Sequence, residues 1–143
     1  MREILFRGKR TDTGEWVEGY YEFYNGGHYI NVQTDRVNSG GYPIREFIEV
    51  IPESVGLYTG LTDKNGKKIF EGDIISHFIK YLGQRVEATV EYDNQFASYV
   101  CNYTFENKIC NAFLCDWVDG NGVEIIGNIH DNLELLKESE DTE

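Results

Sequence analysis

The chain has 143 residues, of which 41% are hydrophobic and 14% aromatic, enough apolar material for one folded core or two small touching units. Its 25 acidic and 13 basic side chains give a formal net charge of −12. This charge disfavours a nucleic-acid partner, because phosphate contacts need a basic surface, and it favours a partner with a basic surface. Only three consecutive apolar residues, Ile4–Phe6, precede the first return of charge. We therefore expect no signal peptide, no membrane span and a cytoplasmic location.

Strand and turn patterns dominate the first third of the chain. Apolar and acidic residues alternate from Trp16 to Gln33, and Asn25–Gly27 supplies residues that accept positive φ, so this segment predicts a hairpin. The polar, glycine-rich segment Thr34–Tyr42 predicts a loop. Apolar residues after Pro43 fall near helical spacing, which predicts a short helix, although a strand ending at Pro52 fits the same residues.

The middle of the chain contains two tight turns. Asn65-Gly66 is a strong hairpin signal. Glu71 and Asp73 would share one face of a continuous strand, as paired-carboxylate chemistry requires, but Gly72 between them favours a bend. In such a bend the carboxylate of Asp73 accepts a backbone N–H. We therefore interpret all five residues as structural turn positions.

The last third predicts further strands after a turn at Gly83. From Arg85 to Asp93 every second residue is apolar, which predicts a half-buried strand with Val86, Ala88, Val90 and Tyr92 on its inner face. The elements expected after it are strands over 96–105, 112–118 and 123–129, a hairpin corner at 119–122, and a short helix capped by Asp131 or Asn132.

Together these elements predict a mainly β fold with short helical segments. We expect an N-terminal β-hairpin unit over residues 1–54 and a small β-barrel with a short C-terminal helix over 55–137. An acidic tail is expected over 138–143. Exposed edge strands of such a barrel are often covered by another copy, so a homo-oligomer is also predicted.

Tyrosines in the first hairpin are candidates for an interaction surface. Tyr20, Tyr24 and Tyr29 offer large rings and a hydroxyl at little entropic cost. The charges interleaved with them are Glu18 and Glu22, which disfavours stacking with single-stranded nucleic acid. Core packing is the alternative use of these rings.

The sequence lacks the usual signatures of metal, cofactor and nucleophile chemistry. The histidines are isolated in sequence: His28, His77 and His130. The cysteines have no zinc-site spacing and are expected to be reduced and buried: Cys101, Cys110 and Cys115. Because no phosphate-binding glycine loop, H-E-x-x-H or G-x-S-x-G motif occurs, we expect no cofactor, no metal and no enzymatic activity.

Three blocks of the sequence resemble the YopX-like family of phage and prophage proteins from Gram-positive bacteria. They are "ILFRGKRTDTGEWVEGYY" (4–21), "VGLYTGLTDKNGKKIFEGDII" (55–75) and "EIIGNIHDNLELL" (124–136). The resemblance implies an SH3-type barrel in the larger part of the chain and a setting in the bacterial host cytoplasm. It implies no catalytic or ligand residues.

The hypothesis that follows is a non-enzymatic, phage-type protein-interaction module. One alternative is a small barrel associated with nucleic acid, for which the available cations are Lys64, Lys67, Lys68, Lys80 and Arg85. A second alternative is a hydrolase or metal site that combines Glu71, Asp73 and a histidine.

Overall fold

The structure is a computed structural model that describes residues 2–137. The fold is mainly β, built from antiparallel strands with few helices, as predicted. The chain divides into two compact units, Met1–Tyr58 and Thr59–Glu143. The tail predicted over 138–143 lies outside the described residues.

Antiparallel strands form the first unit, in the order β4-β3-β2-β1-β5. Their bounds are β1 Phe6–Lys9, β2 Trp16–Tyr24, β3 Gly27–Val37, β4 Pro43–Glu49 and β5 Gly56–Thr62, with a 3-10 turn at Pro52–Ser54. The residues of β5 after Tyr58 are counted with the second unit. The buried hydrophobic residues of this unit are Ile30 and Val50, at 0% and 1% exposure.

The hairpin predicted from Trp16 to Gln33 is confirmed by β2 and β3, which pair in antiparallel register. Asn25 and Gly26 form its turn with φ of 50° and 83°, and this positive-φ pair matches the right-handed twist of the two strands. A Cβ at Gly19 would lie 2.3 Å from the carbonyl oxygen of Asn31. Glycine at this position therefore lets the two backbones approach closely.

The helix predicted after Pro43 is wrong, because Pro43–Glu49 is the edge strand β4, paired with β3. Ile44 and Ile48 are four residues apart, a spacing that puts them on one face of either a helix or a strand. Strand pairing decides between the two, since Ile48 lies opposite Ile30.

The loop predicted over Thr34–Tyr42 is shorter than expected. The strand β3 continues to Val37 and pairs there with Pro43. Only residues 38–42 form the turn, in which the side chain of Asn38 accepts the backbone N–H groups of Gly40 and Tyr42 at 2.9 and 3.0 Å.

The second unit contains a five-stranded antiparallel sheet in the order β10-β9-β8-β7-β11. Its elements are β6 Lys68–Phe70, β7 Asp73–Ile79, β8 Gln84–Asp93, β9 Ser98–Phe105, β10 Lys108–Phe113, α1 Leu114–Asp119, β11 Glu124–Asn128 and α2 Glu134–Lys137. The predicted closure of these strands into an SH3-type barrel is not shown by the strand pairing and stays a prediction.

One cluster of buried side chains forms the core of this unit: Ile69, Ile75, Ile79, Val86, Ala88, Val90, Cys101, Leu114, Trp117 and Val123. The inner face predicted for β8 is confirmed for its first three apolar residues, which are buried. The prediction is wrong for Tyr92, which is 43% exposed. Its ring packs edge-on against Tyr99, with centroids 5.2 Å apart, near the end of the strand.

The strand predicted over 112–118 is wrong from Leu114 onward, where the chain forms α1. Leu114 and Trp117 are three residues apart on the buried side of this helix, whereas Cys115 and Asp116 are exposed. The residues of the predicted hairpin corner instead end the helix, since the Gly120 N–H donates to the Asp116 carbonyl at 3.1 Å. The final strand and the short last helix are confirmed as β11 and α2.

The prediction that all three cysteines are buried is wrong for two of them. All three are free thiols, but Cys101 is buried, Cys110 is half-buried and Cys115 is exposed. Cys101 lies in β9 and belongs to the core cluster, whereas Cys115 is exposed on α1.

Candidate functional site

Glu71 and Gly72 form the turn between β6 and β7, and Asp73 begins β7. Gly72 has a φ of 89°, in the left-handed region that glycine adopts without steric cost. Its N–H donates to the Val90 carbonyl at 2.9 Å, and its own carbonyl accepts the Ile129 N–H at 2.9 Å. The turn is thereby bonded to β8 and to the segment after β11.

The carboxylate of Asp73 is buried, at 1% exposure, and its Oδ2 accepts the backbone N–H of Phe70 at 2.8 Å. A Cβ built on Gly72 would lie 3.8 Å from His130 Nε2, so an imidazole does lie beside this corner. Within residues 2–137, however, no group of three or more His, Cys, Asp or Glu side chains is arranged to hold a metal ion.

Asn65 and Gly66 lie in the turn between β5 and β6, where a carboxylate that sequence reasoning missed organises the backbone. Asp63 is 6% exposed. Its Oδ1 accepts the N–H groups of Asn65 and Lys67, both at 2.9 Å, and its Oδ2 accepts the Ile125 N–H at 3.2 Å. The pattern D-x-N-G is the signal that could have found it, since Asp side chains often bond the backbone two residues on.

Two opposing effects act on the carboxyl group of Asp63. Burial raises its pKa, but the N–H groups of Lys67, Ile125 and Asn65 favour the charged form and bring the pKa below its usual value. Asp63 is therefore a charged, structural residue that holds the turn to β11.

The three tyrosines predicted as an interaction surface lie on one face of the first unit's sheet. Tyr20 lies opposite Asn31, which lies opposite Phe47, and Tyr29 lies opposite Glu22. Directly opposite residues, and residues two apart along a strand, share a face of the sheet. Tyr20, Tyr24, Tyr29 and Phe47 are thus on the same side, and we call these four residues the aromatic face.

Three of the four rings are open to solvent. Tyr20 is 55% exposed, Tyr24 71% and Phe47 57%, whereas Tyr29 is half-buried. Phe47 was missed because its segment was predicted as a helix. Its position on an edge strand, out of phase with Ile44 and Ile48, is what puts it on the exposed side.

A chain of polar contacts links the side chains that lie beside these rings. Arg45 Nε donates to Asn31 Oδ1 at 2.6 Å, and Asn31 Nδ2 donates to Glu22 Oε1 at 3.2 Å. The guanidinium of Arg45 also lies 5.7 Å from the ring centroid of Tyr20, within cation–π range. Since Asn31 is only 9% exposed, these contacts hold Tyr20 and Glu22 in defined positions.

Two exposed carboxylates, those of Glu22 and Glu49, lie beside the exposed rings. Glu22, Tyr29 and Glu49 form one cross-strand row, next to the row that contains Tyr20 and Phe47. The face therefore combines exposed aromatic surface with acceptors for cationic side chains.

The opposite side of this sheet contributes to the unit's interior. Ile30 is fully buried there, and the Tyr21 hydroxyl lies 2.6 Å from His28 Nδ1. The consecutive residues Tyr20 and Tyr21 thus have different environments, one exposed and one half-buried against Phe6.

The fold and the site define a two-unit antiparallel β protein with a solvent-exposed aromatic sheet face. The family model described as "YopX protein" matches residues 5–137. The chain belongs to the YopX family.

A solved structure shares the fold. The crystal structure of protein EF1440 from Enterococcus faecalis is 24% identical to this chain, with a TM-score of 0.55, and the match covers 95% of this chain and 99% of that one. No curated protein matches the chain. Among the described residues, no helix is long and apolar enough to cross a membrane.

Proposed function

We propose that this YopX-family protein is a non-enzymatic interaction module whose aromatic face binds a protein partner with a basic, partly apolar surface. The observation that carries the proposal is the row of exposed rings next to the carboxylates of Glu22 and Glu49. The family resemblance supports a phage or prophage setting in the bacterial cytoplasm. It also supports an SH3-type arrangement of the strands in the second unit.

The chemistry of the face suits such a partner. Tyrosine and phenylalanine rings present large areas that lose little side-chain entropy on binding. A lysine or arginine from the partner can pair with Glu22 or Glu49 while its aliphatic stem covers a ring. The net charge of −12 adds long-range attraction for a cationic surface.

The buried carboxylates support a structural rather than a catalytic role. Asp63 and Asp73 both accept backbone N–H groups at the turns on either side of β6. Each is therefore committed to holding the backbone, which supports the non-enzymatic proposal.

The test compares two exposed apolar residues in different places. Phe47→Ser removes a ring from the aromatic face, and Ile109→Ser is the control, since Ile109 is 87% exposed on β10. Proteins retained from a Gram-positive host lysate by the wild type are identified and purified. Their affinities for the wild type and both variants are then measured by isothermal calorimetry.

We expect Phe47→Ser to weaken binding by at least about tenfold, the size of an interface hot spot, and Ile109→Ser to change it by less than about twofold. We also expect the affinity to fall when salt is raised from about 50 to about 500 mM, because the contact is partly electrostatic. Equal effects of the two variants, or a salt-independent affinity, would contradict the proposal. Self-association of the purified protein through this face would identify a second copy as the occupant instead, and retention of nucleic acid alone would support the nucleic-acid alternative.

A further inference from the structure

A cavity of about 360 Å³ lies in the second unit, beside α1. The side chains that define its chemistry are those of His77, Lys80, Tyr81, Tyr103, Asp116 and Trp117. None of them belongs to the turns or to the aromatic face described above.

Aromatic rings line the cavity. The His77 ring stacks on that of Trp117, with centroids 4.2 Å apart and planes 14° apart. Trp117 also packs against Tyr103 at 5.4 Å. Burial, with an added contribution from neighbouring Tyr81, raises the pKa of Tyr103 to about 12, so the Tyr103 hydroxyl is uncharged at neutral pH. Tyr81 is 83% exposed and offers an open ring face at the rim.

His77 presents a hydrogen-bond acceptor to the cavity. Its Nδ1 lies 2.8 Å from the Gly122 carbonyl oxygen, and because a carbonyl can only accept, Nδ1 is the donor. The neutral ring then has an acceptor lone pair at Nε2. No residue within the described part of the chain bonds to Nε2, and this atom has solvent-accessible surface. Although His77 is only 6% exposed, its Nε2 is therefore open to the cavity that the residue lines.

Further acceptors lie at the rim. The Asp116 residue is exposed, and its Oδ1 accepts a weak hydrogen bond from the Cys115 thiol, with Sγ at 4.0 Å. The Asn121 amide donates its Nδ2 to the Phe78 carbonyl at 3.0 Å, which leaves Oδ1 as an acceptor. Lys80 contributes the cavity's positive charge, but on a flexible, exposed stem that can swing into solvent.

We propose that this cavity binds a guanidinium group. A guanidinium is planar, stacks on aromatic rings and carries five donors with no acceptor. It therefore matches the open ring of Tyr81 together with the acceptors that line the cavity, which are His77 Nε2, Asp116 and Asn121. An ammonium group has the same charge but is not planar, so it cannot stack on a ring in the same way. A neutral urea group has the plane, but it lacks the charge, and its carbonyl oxygen would meet the acceptors of the site. This binding goes beyond the proposed function, since it does not involve the aromatic face.

Fluorescence of Trp117 reports the binding directly. The protein has two tryptophans, so Trp16→Phe leaves Trp117 as the sole reporter. This protein is titrated with Nα-acetyl-arginine amide, with Nα-acetyl-lysine amide as the charge control, and with Nα-acetyl-citrulline amide as the planar neutral control. We expect a saturable change with the arginine compound, and at least about fivefold weaker binding of both the lysine and the citrulline compounds. No saturable change with the arginine compound, or binding of the lysine or the citrulline compound as tight as that of the arginine compound, would overturn the proposal.

A matched pair of variants localises the site. Asp116→Asn and Asp119→Asn remove the same charge from two exposed positions of α1, and only Asp116 lines the cavity. We expect Asp116→Asn to weaken binding of the arginine compound by about tenfold, and Asp119→Asn to weaken it by less than about twofold. If the two variants weaken binding equally, the site is overturned, because the loss would then come from the change in net charge and not from a contact with Asp116.

The guanidinium can come from a free small molecule or from an arginine of a protein. An arginine-containing peptide that binds at least about tenfold more tightly than the amide identifies a protein source, and equal binding identifies a small molecule. Phe47→Ser is expected to leave all of these titrations unchanged, so failure at this cavity and failure at the aromatic face are distinguishable.

Discussion

Removing the Asp63 carboxylate tests how the second unit holds its turns. Asp63→Ala leaves three backbone N–H groups without their acceptor, those of Asn65, Lys67 and Ile125. The first two belong to exposed residues and can bond to water, so we assign each a cost of about 0.5–1 kcal/mol. The Ile125 N–H is half-buried and costs about 1–2 kcal/mol to leave unpaired. The expected loss in the free energy of unfolding is therefore about 2–4 kcal/mol.

Two further variants calibrate this value. Asp63→Asn keeps one oxygen for the turn but can turn an amide N–H toward the Ile125 N–H, and is expected to cost about 1–2 kcal/mol. Asp93→Ala is the matched control, since Asp93 accepts two N–H groups in an exposed turn at 2.8 and 3.1 Å, and within residues 2–137 its side chain makes no third hydrogen bond. We expect it to cost about 1–2 kcal/mol, less than Asp63→Ala.

The stability that Asp63 contributes depends on pH in a defined direction. The pKa of Asp63 is lower in the folded protein than its ordinary value of 3.8. Its stabilising contribution is therefore fully present above that ordinary value and is lost as the pH falls through the folded-state pKa. Urea unfolding, followed by Trp117 fluorescence in the Trp16→Phe protein, measures the difference between wild type and Asp63→Ala. A loss below about 0.5 kcal/mol at pH 7, or a difference that does not shrink on acidification, would refute the reasoning.

Two other predictions concern the backbone and the thiols. Gly72→Ala puts a residue with a Cβ at a φ of 89°, where the side chain causes backbone strain. We expect urea unfolding to show a loss of about 1–2 kcal/mol in the free energy of unfolding, and an unchanged stability would contradict this expectation. Burial raises the pKa of Cys101 to about 12, so iodoacetamide should label exposed Cys115 in the native protein and Cys101 only after unfolding. Mass spectrometry that finds native Cys101 labelled as fast as Cys115 would show that the second unit's core is open.

Local patterns predicted those elements whose residues satisfy only one geometry. In β8 the strict alternation of Val86, Ala88 and Val90 fits a strand and no helix, and the strand is found there. The turn at Asn25-Gly26 also has a specific backbone chemistry, and its hairpin is correct.

The errors arose where one spacing fits two structures or where distant pairing decides. Ile44 and Ile48 share a face in either a helix or a strand, and only the pairing of β4 with β3 selects the strand. The reverse error, a helix predicted as a strand, occurred at residues 114–118. The apolar residues there predict a strand, but the chain forms α1, which puts both Leu114 and Trp117 in the core.

The candidate site was predictable in part. Alternation along β2 puts Tyr20 and Tyr24 on one face, but the addition of Phe47 requires the register between β3 and β4. The cavity beside α1 was not predictable, because His77 and Trp117 are forty residues apart in sequence and meet only through the fold.

Site-specific photo-crosslinking in living host cells tests the interaction proposal most directly. A photoreactive phenylalanine analogue replaces Phe47 on the aromatic face or, as the control, Ile109 on β10. The proposal predicts a discrete crosslinked protein from position 47, with a basic surface, that is absent from position 109. The same products from both positions, or none from position 47, would contradict it.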